Sequence, residues 1–162
     1  MTEQVAKFMP PEVEAFLGVP LFEGITEDAV RALALAAEEA VYPKGELIFR
    51  EGELGDRFCV IGDGEVEVVK GLGTPNEVVL ARLGSKEFFG EMSLIEGQPR
   101  SASIRAARTS IIYVLTNQAI ARFSRFWPEF HSTIIFNIAA ALSRRLREID
   151  RAVASAGQAP VG

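Results

Sequence analysis

Cysteine, histidine and tryptophan each occur once in this chain. The lone Cys59 excludes a disulfide within the chain, and its apolar setting Phe58-Cys59-Val60-Ile61 marks a small core side chain rather than a reactive thiol. The lone His131 leaves no Ser-His-Asp set, no Cys–His metal cluster and no ligands for haem or an iron–sulfur centre. No catalytic residue, metal ligand or cofactor is assigned, and a non-enzymatic protein is expected. Apolar runs stay well short of the roughly 20 residues that cross a bilayer, and the N-terminus lacks a signal peptide's apolar stretch. The expectation is a cytoplasmic protein with no membrane partner.

What is present suits one folded domain with a helical extension: 162 residues, 48% hydrophobic and 24% charged. The net charge of −5 hides an imbalance, since residues 1–99 hold 19 of the 22 acidic side chains and residues 100–162 hold 9 of the 17 basic ones. The acidic first part argues against general nucleic-acid binding. The arginines of the second part suit a small anion or an acidic partner, or simply a solvated helix face.

Residues 11–40 read as helical, with Pro11 in a first turn and Thr26 as a cap before Glu27 and Asp28. From about Val41 to Leu115 come short strand signals: Leu47–Phe49, Phe58–Ile61, Glu65–Val69, Val78–Ala81, Ser103–Ala106 and Ile111–Leu115. Glycine-rich turns punctuate them, which suggests a sandwich or jelly-roll barrel. The pattern turns helical from Asn117 to near Ser155, broken at Trp127-Pro128 because the residue before proline disfavours the helical region. There Ile135, Ala139, Leu142, Leu146, Ile149 and Val153 recur at heptad spacing between charged residues. This seam fits either a second copy of the chain or the barrel, and a two-fold dimer is the favoured reading. Residues 1–19 read as an N-terminal helical segment, 20–155 as the main domain with its C-terminal helices from about 117, and 156–162 as a flexible tail.

The most informative stretch is 88–106, Phe-Phe-Gly-Glu-Met-Ser-Leu-Ile-Glu-Gly-Gln-Pro-Arg-Ser-Ala-Ser-Ile-Arg-Ala. Glu91 and Arg100 stand at the two ends of a short apolar turn bounded by Gly90 and Gly97. The glycines permit close backbone approach, and Met92–Ile95 forms about one helical turn whose free N–H groups favour an anion. Arg100 offers a planar fork of donors to phosphate oxygens. Glu91 repels phosphate, so its partners are hydroxyl or amine donors. A ribose 2′-hydroxyl beside a cyclic phosphate satisfies both, with the Ser101 hydroxyl free for phosphate or purine. The plainer possibility is that Glu91 and Arg100 pair with each other on the surface.

This stretch resembles the phosphate-binding cassette of the cyclic-nucleotide-binding domain family, in the manner of catabolite activator proteins and protein kinase A regulatory subunits. Tyr42–Ile61 and Asp63–Val69 resemble the family's early barrel strands, and the likeness spans roughly residues 20–153. It implies a mainly β fold, a jelly-roll (double-stranded β-helix) barrel with N-terminal helices and long C-terminal helices. By motif position Gly90 and Glu91 would hold the ribose 2′-hydroxyl and Arg100 the cyclic phosphate. Phe89, Met92, Ser93, Ser101 and Ala102 complete the expected ligand-binding set, and barrel Val and Ile side chains would line the purine pocket. One departure stands in the turn Gly84-Ser85-Lys86-Glu87, where the family often has a further glycine. The resemblance implies a second-messenger receptor for cAMP, with cGMP as the alternative. It would act on an unidentified effector protein through rearranged C-terminal helices, and as a homodimer through the last helix. The short tail after Val153 leaves no room for a helix-turn-helix, so a stand-alone receptor without direct DNA binding is expected. The competing expectation is a ligand-free barrel serving as a dimeric interaction module. A purine-facing residue is expected from the last helix, but Arg144, Arg145 and Arg147 are equivalent on sequence grounds.

Overall fold

A computed structural model describes residues 9–95 and 97–157. Helix α1 (Pro11–Phe16) opens on its proline and buries Val13, Ala15 and Phe16. A 3-10 turn, Pro20–Phe22, leads to α2 (Glu27–Leu35), where the Thr26 side chain accepts the Ala29 N–H at 3.4 Å. Eight antiparallel strands follow: β1 (Glu38–Tyr42), β2 (Leu47–Phe49), β3 (Arg57–Asp63), β4 (Glu65–Lys70), β5 (Val78–Gly84), β6 (Phe88–Phe89), β7 (Ser103–Ala106) and β8 (Ser110–Thr116). They form two four-stranded sheets, β1-β8-β3-β6 and β2-β7-β4-β5, which face each other as a jelly roll. Helices α3 (Asn117–Phe126) and α4 (Pro128–Gly157) complete the described chain.

The alternation of β3 explains how two cores share one strand. Cys59 and Ile61 point between the sheets with Phe49, Val66, Phe89, Ile104 and Ile112. Phe58 and Val60 point the other way, into a second core with Phe16, Leu21, Leu33, Leu115 and Ile138 from the helices. A strand covered on both faces reads as a continuous apolar run, as Phe58–Ile61 does.

Two boundaries differ from the sequence reading. The helical pattern was expected to reach residue 40, yet α2 ends at Leu35 and Glu38–Ala40 pair with Ile112–Val114 of β8. Glu-Glu-Ala is a good helix former, and the β8 edge overrides that local preference by supplying backbone partners. At the other end α4 includes Ala156 and Gly157, which composition assigns to the tail; residues 158–162 lie outside the described residues, as do residues 1–8 of the N-terminal segment.

Trp127 is extended (φ −128°, ψ 85°), so the chain turns between α3 and α4 where Pro128 demands it. The face of α4 on the barrel is Phe130, Ile134, Ile138 and Ala141. The heptad seam is a neighbouring stripe: Leu142 is half-buried, while Leu146, Ile149 and Val153 stand 59–65% exposed on this chain.

The departure at Gly84–Glu87 has a physical reason. Lys86 adopts a left-handed φ of 71°, the conformation a glycine would take without strain. Its ammonium donates to the Glu14 carbonyl, to Leu17 at 2.9 Å and to Ala15 at 3.4 Å, capping the carbonyl end of α1. A cation fixed on the last turn of a helix offsets the backbone cost.

Candidate functional site

A cavity of about 290 Å³ opens between the barrel and α4. Every residue of the expected ligand-binding set lines it: Phe89, Gly90, Glu91, Met92, Ser93, Arg100, Ser101 and Ala102. Phe49, Val68, Leu83 and Ile104 of the strands form its apolar side, and Leu142 and Arg145 enter from α4. Arg105, in the following strand, belongs instead to an ion-pair cluster with Glu67 and Glu77.

Arg100 lies 3.6 Å above the Phe49 ring and donates to the Arg57 carbonyl at 2.9 Å and the Gly90 carbonyl at 3.4 Å. These contacts fix the guanidinium without cancelling its charge. Burial pulls its pKa below the ordinary guanidinium value, and Cys59, Asp56 and Glu53 oppose that from a distance. A guanidinium held by an aromatic face and two carbonyl dipoles, with no ion pair among the described residues, keeps a charge that could receive an anion.

Gly90 is required by Arg100 and its neighbours. Its φ is +81°, and a Cβ would come within 2.8 Å of Phe49 and 2.9 Å of the Arg100 Nη1. At Gly97 (φ +58°) a Cβ would meet no protein atom within 4 Å, so the left-handed backbone is what favours glycine there. Gly55 does similar service, its missing Cβ leaving room for Ser93 and the Arg100 Cζ at 2.8 and 3.0 Å.

The turn between Gly90 and Arg100 begins as a 3-10 helix, Glu91–Leu94, with Gly90 as its left-handed cap. The Ser93 hydroxyl donates to the Gly90 carbonyl at 2.8 Å, and the Asn117 amide donates to the Ser93 carbonyl at 3.2 Å, tying the turn to α3. Glu91 is 4% exposed. Its Oε1 accepts from Arg145 Nη1 at 2.9 Å, and Arg145 Nη2 donates to the Phe88 carbonyl at 3.2 Å, with the guanidinium 5.3 Å from the Phe88 ring centroid. Glu91 and Arg100 thus do not pair with each other. One carboxylate and two cations, Arg100 and Arg145, border the same cavity, the carboxylate tied to α4 through Arg145.

Of Arg144, Arg145 and Arg147, Arg145 is the one that lines the cavity. Its signal lies in the spacing Phe130, Ile134, Ile138, Ala141, Arg145, which carries the barrel-facing stripe one step further. Phe49, the platform under Arg100, gave no sign beyond its place in a strand. Among the described residues no three His, Cys, Asp or Glu side chains converge as a metal site, and no helix is long and apolar enough to cross a membrane.

Residues 39–125 match the family model "Cyclic nucleotide-binding domain". The chain is 35% identical over 133 residues to the Cyclic AMP receptor protein of Thermus thermophilus, covering 82% of this chain and 60% of the relative. It is 37% identical over 116 residues to a cyclic nucleotide-gated potassium channel of Rhizobium etli, covering 72% of this chain and 31% of the channel. It therefore spans less than two thirds of these relatives. Among solved structures, a cyclic nucleotide-binding domain from Methylobacillus flagellatus superposes with a TM-score of 0.79 at 25% identity, covering 93% of this chain and 86% of the other. The match covers more than half of the sequence, includes Gly90, Glu91 and Arg100, and coincides with the barrel: this chain belongs to the cyclic nucleotide-binding domain family.

Proposed function

We propose that this protein is a non-enzymatic receptor for a cyclic nucleotide, with cAMP as the ligand. The observation that carries the reading is the half-buried Arg100, without a carboxylate partner among the described residues, sharing one cavity with the buried Glu91. Arg100 receives the cyclic phosphate, assisted by Ser101 and by backbone N–H groups of the Glu91–Leu94 turn. The free Glu91 oxygen accepts from the ribose 2′-hydroxyl, while Val68, Leu83 and Ile104 give the purine an apolar wall. The choice of cAMP over cGMP draws on the Thermus relative, whose printed name is Cyclic AMP receptor protein.

In this reading residues 20–155 form the receptor unit, working in the cytoplasm, and α1 supports it through Val13 and Phe16. The relay runs through α4, because Arg145 and Leu142 belong to both that helix and the cavity. A ligand moves α4 only insofar as it binds its two arrangements with different affinity. The α4 seam joins two copies, and an effector protein reads the result.

Titration calorimetry of nucleotide-free protein against cAMP and cGMP tests the reading. Saturable heat with cAMP is expected, weaker heat with cGMP, and a loss of about ten- to hundred-fold in Arg100→Ala, the value of about 1.5–3 kcal/mol for a charged hydrogen bond. Folded, empty protein that gives no heat with either nucleotide supports the second reading, a ligand-free interaction module. That reading has its own support in the Glu91–Arg145 pair, which already satisfies one carboxylate oxygen.

A further inference from the structure

Ser101 and Ala102, the two residues after Arg100, line the nucleotide cavity, and what holds them lies outside it. Lys70, at the end of β4, donates its ammonium to the Ser101 carbonyl at 2.7 Å and pairs with Glu51 Oε1, also at 2.7 Å. Glu51 in turn accepts the Gly71 N–H at 3.1 Å, and its own N–H donates to the Ser103 hydroxyl at 2.9 Å. Lys70 first, and then the Gly71 N–H, hold the Glu51 carboxyl below its usual range, so it stays charged at neutral pH. None of Lys70, Glu51 and Ser103 lines the cavity.

Backbone bonds fix Arg100 itself, which accepts the Gly52 N–H at 2.9 Å and donates to the Glu53 carbonyl at 2.7 Å. The next peptide, Ser101–Ala102, is held by a side chain instead. It is trans, so its carbonyl and its N–H point in opposite directions. With the carbonyl turned to Lys70, the Ala102 N–H faces away from that ammonium. This N–H has no hydrogen-bond partner among the described residues, although Ala102 is only 9% exposed. A covered N–H without a protein acceptor calls for one from solvent or a ligand, and Ala102 borders the same cavity as Arg100.

We infer that Lys70 is a positioning residue for the nucleotide's phosphate: it turns the Ser101–Ala102 peptide so that the Ala102 N–H is offered to a phosphate oxygen beside Arg100, and Glu51 holds Lys70 in place. This rests on the nucleotide reading above and adds to it a contact set from outside the cavity. An ammonium has three donors and no acceptor, so it serves the Ser101 carbonyl and Glu51 together. A cation on the carbonyl also polarises the peptide and strengthens its N–H as a donor. A neutral side chain at position 70 would leave that carbonyl to water and the peptide free to turn.

The test is calorimetry of the full chain with cAMP and with its two phosphorothioate diastereomers, each carrying sulfur in place of one exocyclic phosphate oxygen. Lys70→Met should weaken cAMP about three- to tenfold, the worth of one hydrogen bond, and Lys70→Arg should stay within about twofold of the parent. The Ala102 N–H serves one of the two oxygens. The ratio of the diastereomers' affinities should therefore change at least about threefold in Lys70→Met and hold in Lys70→Arg. General loosening of the turn would weaken both diastereomers alike. Glu51→Gln should also weaken cAMP, and adding it to Lys70→Met should cost little more, because Glu51 acts through Lys70. Lys70 is half exposed, and circular dichroism checks that the variants stay folded. With a parent that binds cAMP, three results overturn the inference and leave the nucleotide site standing: equal affinity in Lys70→Met, an unchanged diastereomer ratio, or Lys70→Arg as weak as Lys70→Met. A parent that binds neither cAMP nor its analogues overturns the nucleotide reading and this inference with it.

Discussion

Burial makes Cys59 inert and turns it into an alkaline liability. It is fully enclosed between the sheets, and desolvation pushes its thiol up to about 12 from an ordinary 9.0. Tyr113, whose hydroxyl donates to Glu39 at 3.1 Å, is likewise pushed up to about 12 from 10.0, first by burial and then by that carboxylate. In the unfolded chain both groups ionise at their ordinary values, while the folded chain keeps them protonated. Between pH 9 and 12 the unfolded state therefore binds fewer protons, and stability falls as pH rises; below 9 the contribution is intact. A loss of roughly 4 kcal/mol is expected by about pH 11, with a shallower slope in Cys59→Ala. Thermal melts across that range give the slope. A thiol reagent should leave Cys59 untouched in native protein at neutral pH and label it in denaturant. Rapid native labelling would show that the thiol is not enclosed.

At the scale of elements, one ion pair links α4 to the cassette turn. Arg145 leaves about a third of its side chain exposed while Glu91 is nearly covered, so the asymmetry sets the cost of breaking the pair. Arg145→Met keeps the stem on Phe88 and strands the Glu91 oxygen. About 1–2 kcal/mol should be lost from ligand-free protein, the lower range for an unsatisfied buried group because solvent reaches this one. The loss should shrink when Glu91→Gln is already present, and hydrogen exchange should quicken in α4 after residue 141. Strict additivity of the two substitutions would mean that the pair does not hold the helix. The same helix shows what sequence alone conveys. Strands β3 and β7 and the Glu91 and Arg100 positions were legible because an apolar run, a flanking glycine and a charge at fixed spacing are local signals. Strand β1 was not, because Glu38–Ala40 become a strand only when β8 arrives. Arg145 was not, because α4 carries two apolar stripes, and which one meets the barrel depends on tertiary packing. Lys86 was not, because its left-handed turn is sustained by carbonyls about 70 residues earlier in the chain.

For the whole molecule, the two stripes of α4 divide its work. Phe130, Ile134, Ile138 and Ala141 are satisfied by the barrel and its helices, whereas Leu146, Ile149 and Val153 form an apolar ladder with no partner among the described residues of a single chain. Two such ladders facing each other would bury six side chains, each contributing about 1.5–3 kcal/mol. The sum stands against an association cost of about 4–15 kcal/mol, so the margin is narrow and one substitution decides it. Leu146→Asp places a carboxylate on each side of the two-fold contact, adding desolvation and like-charge repulsion to the lost burial. Sedimentation should show a parent dimer and a monomeric variant. Calorimetry on that monomer should still give cAMP binding, because the cavity walls, Arg100, Glu91 and Arg145 all come from one chain. Loss of binding together with loss of the dimer would mean that the second copy completes the site. A parent that sediments as a monomer would assign the ladder to a different protein, and the effector would then be gripping the same helix that closes over the nucleotide.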